Sequence, residues 1–228
     1  TPGPAEADAI VEAIREAAEA GINVVAVTDD AYFGLFFEDS VRESLFGRLC
    51  GLHERVFPIK IDGATKEEYV WGFRVGFVTY GGVSEACLDA LEQKTLGIIR
   101  ATISSGPHPS QTFVLEALKS PDFDRQRAEK FEILKRRAVK VKQLLDSGKY
   151  GNEWTYYPFN SGYFMCLKLL TADAETVRQR LLDAYGVGTI ALGPTDLRVA
   201  FSCIEEDQLE DLFDRIHQAV LDVKAVRA

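Results

Sequence analysis

A chain of 228 residues and 25.3 kDa is long enough to bury a real core without disulfide staples, and none of its apolar runs approaches the ~18 residues a membrane span needs. Its 26 Lys and Arg stand against 35 Asp and Glu, a net charge of -9, and that field repels phosphate backbones. Neither a membrane nor a nucleic acid is an expected partner.

Residues 5–20 place Ile10, Val11, Ile14 and several alanines at helical spacing, with Gly21 where a C-terminal cap belongs. The β-branched run that follows, ending abruptly in Asp29 and Asp30, predicts a buried parallel strand whose carboxyl end opens into a loop. Strands are predicted at Val56–Ile61 and Phe73–Tyr80, and the polar turn between them leaves Lys66 on a loop. The period returns to helical from Ser84 to Ile103, breaks at Gly106, Pro107 and Pro109, and resumes near Ser110. A long charged helix is expected from Phe123 to Asp146. After it come a strand at Tyr163–Leu169, a helix at Ala174–Tyr185, strands at Val187–Leu192 and Leu197–Ser202, and a last helix from Glu205. The order describes an α/β fold: part of a mostly parallel sheet with helices over residues 1–115, then a small α+β domain over 116–228.

Cys50, Cys87, Cys166 and Cys203 are widely spaced among apolar neighbours, so they are expected to be reduced core thiols in a cytoplasmic protein. His53, His108 and His217 have no second ligand at metal-binding spacing, and no metal site is expected. The opening Thr-Pro-Gly-Pro lacks the charged and apolar regions of a signal peptide.

Four features of this layout could carry chemistry. Asp29-Asp30-Ala31-Tyr32 is either a solvated turn or a carboxylate at the strand end where α/β sheets bind ligands. Lys66 is either a surface lysine or a reactive amine in a loop of small residues. Arg74, between Phe73 and Val75, and Arg198, in LRVAF, are arginines within apolar runs, and a half-buried guanidinium calls for an anion.

These residues carry a resemblance. Lys66 with Arg74 eight positions on, in KEEYVWGFRVG, resembles the Schiff-base lysine signature of the fold-type I, class I/II aminotransferases that use pyridoxal phosphate (PLP). Asp29 and Tyr32 match that family's D-x-A-Y segment, Arg198 its C-terminal substrate arginine, and PFNSGYF at 158–164 the strand entering its small domain. The resemblance implies a homodimeric transaminase moving an amino group between an amino acid and a 2-oxo acid, with a Schiff base on Lys66. By the same resemblance Asp29 keeps the cofactor's ring nitrogen protonated, Tyr32 bonds its ring oxygen, Arg74 holds its phosphate and Arg198 takes the substrate α-carboxylate. Lys60, inside a strand and with no arginine eight residues on, is the rival lysine. Arg100 is either a helix-end cation beside its own dipole or, as in the aspartate aminotransferase branch, the reader of a distal carboxylate that would make aspartate or glutamate the substrate. A lyase of the same fold, a regulatory aminotransferase-like domain and an inactive fragment are the alternatives.

The chain departs from the family at three places. Gly63 stands where a phosphate-binding serine is usual, leaving Thr65 as the nearest hydroxyl. Glu67 and Glu68 directly follow the lysine and, if exposed, would raise its pKa. The family's N-terminal portion has no counterpart here, so the residues are expected to be the C-terminal part of a longer enzyme or to be completed by a second polypeptide.

Overall fold

A computed structural model describes residues 1–227. It is a mixed α/β protein whose chain divides into two units, Thr1–Arg127 and Ala128–Ala228.

The first unit begins with helix α1 (Pro4–Glu19), started by Pro4 and by Glu6, whose carboxylate accepts the Gly3 N–H at 2.8 Å. Ala7, Val11 and Ala18 line its buried side at the helical repeat. Strand β1 (Val24–Asp29) runs parallel to β2 (Val56–Asp62), with Val24 opposite Val56 and Asp29 opposite Ile61. Between them the short helix α2 (Leu45–Leu49) starts at Ser44, whose hydroxyl accepts from Phe46 N–H, and lays Leu49 into a core with Val11, Ala18, Ala26 and Val56. One helical turn, α3 (Ala64–Glu67), follows β2, and a 3₁₀ turn at Trp71–Phe73 leads to β3 (Phe77–Tyr80), antiparallel to β2. The sheet order is β1-β2-β3. Helices α4 (Glu85–Thr102), α5 (His108–Leu118) and the first turn of α6 (Phe123–Asp146) complete this unit, and the division between units falls within α6, later than residue 115.

The second unit is an antiparallel sheet of β4 (Trp154–Tyr156), β5 (Met165–Leu169), β6 (Ile190–Leu192) and β7 (Asp196–Val199) in the order β4-β5-β7-β6. It is accompanied by α7 (Ala174–Tyr185) and α8 (Leu209–Arg227). Asp173 caps α7 by accepting the Thr176 N–H at 2.9 Å, and Gly186, at φ 65°, ends it. Leu167, Leu197, Leu181, Phe213 and Ile216 are fully buried.

Several expectations need correction. Phe73 and Arg74 precede β3 and lie on a turn, because Phe73 and Val75 pack with Ala64 and Val114 and the chain must reverse to bring them there. Lys66 sits on α3, not on a loop. Strand β1 is parallel as expected but forms the sheet edge, with Val25 62% and Val27 56% exposed. Strand β7 ends at Val199, where Phe201–Cys203 turns into a 3₁₀ helix. The four thiols are free, yet Cys87 and Cys203 are exposed and are not core residues. Among the described residues no helix is long and apolar enough to cross a membrane.

Candidate functional site

At the carboxyl end of β1 the chain folds back on itself. Asp29 Oδ1 accepts the Ala31 N–H at 3.1 Å, and Asp30 N–H donates to Ile61 O at 2.8 Å, which fixes the turn against the end of β2. Asp29 is exposed. Asp30 is half-buried, with Oδ2 buried and without a hydrogen bond. Phe33 N–H closes the turn on Asp30 O, leaving Tyr32 half-buried at its tip.

The end of β2 delivers Lys66 to the same place. Gly63 starts α3, and a β-carbon on it would stand 2.6 Å from Val75 O and 2.9 Å from Gly76 Cα. The serine expected from the resemblance therefore has no room at this position. Thr65 and Lys66 are half-buried on α3, and Lys66 Nζ lies 5.0 Å from the centroid of the Tyr32 ring, a cation–π distance. Lys60 is differently placed, because Asp62 pairs with its ammonium and, by that hydrogen bond, raises its pKa above 10.5.

Glu67 and Glu68 are not the exposed neighbours of Lys66 that their sequence position suggests. Arg127, in the first turn of α6, donates from Nη2 to Glu67 Oε1 at 3.0 Å and brings Nε to 3.7 Å from Glu68 Oε2. Both carboxyls are raised above 4.5, by burial first, and Arg127 opposes that rise. Tyr69, at φ 57°, ends this turn, and burial pushes its phenol up to about 12. Nothing in the local spacing marks Arg127, since its acidic partners lie 60 residues away in the sequence.

The remaining sequence-selected arginines are separate features. Arg74 is exposed in the left-handed region, φ 55° and ψ 44°, and donates to Trp71 O at 3.3 Å. Arg100 is exposed at the end of α4 and donates to Ser104 Oγ at 2.6 Å, within its own helix terminus. Arg198, in the second unit, is half-buried on β7 opposite Cys166, with its guanidinium carbon 4.7 Å from the Phe164 ring centroid. The structure thus brings Lys66 and Tyr32 together, with Asp29 in the turn that carries Tyr32. Among the described residues no group of His, Cys, Asp or Glu side chains could hold a metal ion.

Known proteins share this architecture. The α-aminoadipate aminotransferase LysN of Thermus thermophilus, solved with N-(5'-phosphopyridoxyl)-L-leucine, superposes at a TM-score of 0.77 and 22% identity, over 97% of this chain and 55% of that one. An aminotransferase of Anaerococcus prevotii gives 0.81 and 20%, over 96% and 52%. The aspartate aminotransferase of Thermotoga maritima gives 0.71 and 21%, over 95% and 52%. The chain therefore spans about half the length of the solved structures it matches. No match was found among curated protein sequences. At these identities the structural likeness speaks for the fold, and the sequence itself speaks for the family: the model of aminotransferase classes I and II matches residues 7–216, and the chain belongs to that family.

Proposed function

We propose that this chain carries the lysine-bearing part of a PLP-dependent transaminase that moves an amino group between an amino acid and a 2-oxo acid. The observation that supports the reading best is the approach of Lys66 Nζ to the Tyr32 ring, 5.0 Å from its centroid, at the carboxyl ends of β1 and β2. Ligands of α/β sheets bind at such strand ends. The donor set fits the cofactor: an amine and a phenol lie together at the strand ends, with the Asp29 carboxylate in the turn that carries the phenol. Pyridoxal phosphate, when bound, supplies the electron sink that lets a bond to the amino acid's α-carbon break.

The protein's residues have distinct tasks in this reading. Lys66 Nζ would hold the cofactor and, as a free amine, would carry the proton from the substrate's α-carbon to the cofactor's C4′ carbon. Tyr32 orients that amine with its ring and donates its Oη–H to the cofactor's ring oxygen. Asp29, whose carboxylate is exposed to an incoming ligand, keeps a proton on the ring nitrogen by favouring its charged form. Arg74 and Thr65 bind phosphate, and Arg198 takes the substrate α-carboxylate with a planar fork suited to two oxygens. Its contact with Phe164 limits the positions the guanidinium can take. Lys60 is the weaker candidate for the covalent bond, because its pairing with Asp62 favours the charged amine, and only the neutral amine is a nucleophile. We also propose a homodimer, as the resemblance implies.

The test is borohydride reduction of the full-length protein with PLP, followed by peptide mapping and an assay of amino transfer from a panel of amino acids to 2-oxoglutarate. A pyridoxyl group on Lys66 together with transfer supports the reading. An adduct on Lys60, or none, overturns the site, and ammonia release without an amino acceptor overturns transamination in favour of a lyase.

A further inference from the structure

Arg127 touches both walls of the lysine site. On one side it binds Glu67 at 3.0 Å and approaches Glu68 at 3.7 Å, the two residues that follow Lys66 on its turn. On the other side lies Gly34, two residues beyond Tyr32. At φ 84°, a β-carbon there would stand 3.2 Å from Arg127 Nη2 and 3.5 Å from Glu67 Oε1. The lysine turn and the tyrosine turn therefore meet over a single guanidinium. Glu68 Oε2 is buried without a hydrogen bond, and the Arg127 charge at 3.7 Å offsets part of the cost of that burial.

We infer that Arg127 is a positioning residue for Lys66: it draws the Glu67 and Glu68 carboxylates toward α6, seats the Tyr32–Gly34 turn above them, and so keeps two negative charges from stabilising the Lys66 ammonium. The inference rests on the reading of Lys66 as the reactive amine. The other charged and titratable groups around this turn are Asp30 and Tyr32 beyond β1, Lys60 and Asp62 of β2, Tyr69 after α3 and Asp124 of α6. None of these is changed in the test. At the alkaline pH where an amine titrates, Glu67 and Glu68 are ionised even with their raised pKa, so loss of Arg127 leaves the turn that carries the lysine one unit more negative.

Competitive labelling of the cofactor-free full-length protein with acetic anhydride, read lysine by lysine from peptide masses, gives the pH at which Lys66 is half-reactive. Arg127→Met is expected to move that midpoint up by about half a pH unit, the order of effect of one unit of charge at a partly solvated site. Arg127→Lys is expected to hold it near the native value, and Glu67→Gln with Glu68→Gln added to Arg127→Met to bring it back to or below that value. An unchanged Lys66 midpoint in folded Arg127→Met overturns the inference. If Arg127→Met does not fold, the double variant Glu67→Gln/Glu68→Gln decides: with Arg127 left uncompensated the midpoint falls, and no change overturns the inference. A borohydride adduct on another lysine would strike the functional reading while leaving the labelling result intact, so the two failures are distinct.

Discussion

The carbonyl oxygen of Val75 occupies the space into which any side chain on Gly63 would grow, with only 2.6 Å between it and a β-carbon built there. The backbone at Gly63 is extended, so the requirement is one of space alone. Gly63→Ser or Gly63→Ala must push the end of β2 away from the segment that carries Val75 and Gly76. Overpacking of this kind costs about 1–3 kcal/mol. Denaturant midpoints should fall accordingly, and a midpoint equal to the native one would show that the segment gives way freely.

Burial of the Glu68 carboxyl should be visible as a pH dependence of stability. Its pKa is raised above 4.5 in the folded protein, so the folded state holds its proton more tightly than the unfolded state does. Stability from this group is therefore greatest at pH below 4.5 and falls as pH rises through the folded-state value. Glu68→Gln should unfold at higher denaturant than the native protein at pH 7, with the difference shrinking toward pH 4.5. A difference that grows on acidification would contradict this.

Lys60 has a dependence of the same sign, in the alkaline range. Its folded-state pKa lies above 10.5 because Asp62 pairs with it, so the stabilisation is complete below pH 10.5 and is lost as pH climbs through the folded-state value. In Asp62→Asn that alkaline loss should be absent from the unfolding curves. The lysine should also become more reactive toward acetic anhydride at pH 9 to the extent that its ammonium has lost its partner.

These predictions concern residues whose neighbours differ in how far the sequence reveals them. Helix α6 is legible from its charged amphipathic period over Phe123–Asp146, and the parallel strand ending at Asp29 from its apolar run. Arg74 is not, because Phe73 and Val75 read as strand residues, while the packing that bends them into a turn involves Val114, about 40 residues on. Strand β4 escapes for a related reason: three residues, Trp154–Tyr156, carry no period, and only their pairing with β5 makes them a strand. Helix α2 is five residues long, too short for a period to show, although Ser44 is its cap. Of the proposed site, Lys66, Tyr32 and Asp29 are read from motif spacing. The contact of Arg127 with Glu67 and Glu68 depends on how α6 returns to α3, which no local pattern contains.

Removing only the Tyr32 hydroxyl separates its two proposed tasks. Tyr32→Phe keeps the ring beside Lys66 Nζ but deletes one hydrogen-bond donor. PLP affinity, followed by absorbance titration of the full-length protein, should weaken about tenfold, the worth of one hydrogen bond to a charged group. Tyr32→Ala removes the ring as well and should weaken it further. Equal affinities for native protein and Tyr32→Phe would mean that the phenol does not touch the cofactor.

Arg100 offers the sharpest question about substrate. Its guanidinium is exposed and bonded to Ser104 at the end of its own helix, so Arg100→Ala should leave the unfolding midpoint nearly unchanged, as surface substitutions do. If it also reads a distal carboxylate, kcat/KM for aspartate and glutamate should fall about 10- to 100-fold, the worth of a paired guanidinium and carboxylate, while an apolar amino acid keeps its rate. A uniform, small effect on all amino donors would assign Arg100 to the helix end alone. Substrate length would then have to be read elsewhere, because the role proposed for Arg198 is the α-carboxylate that every amino acid shares.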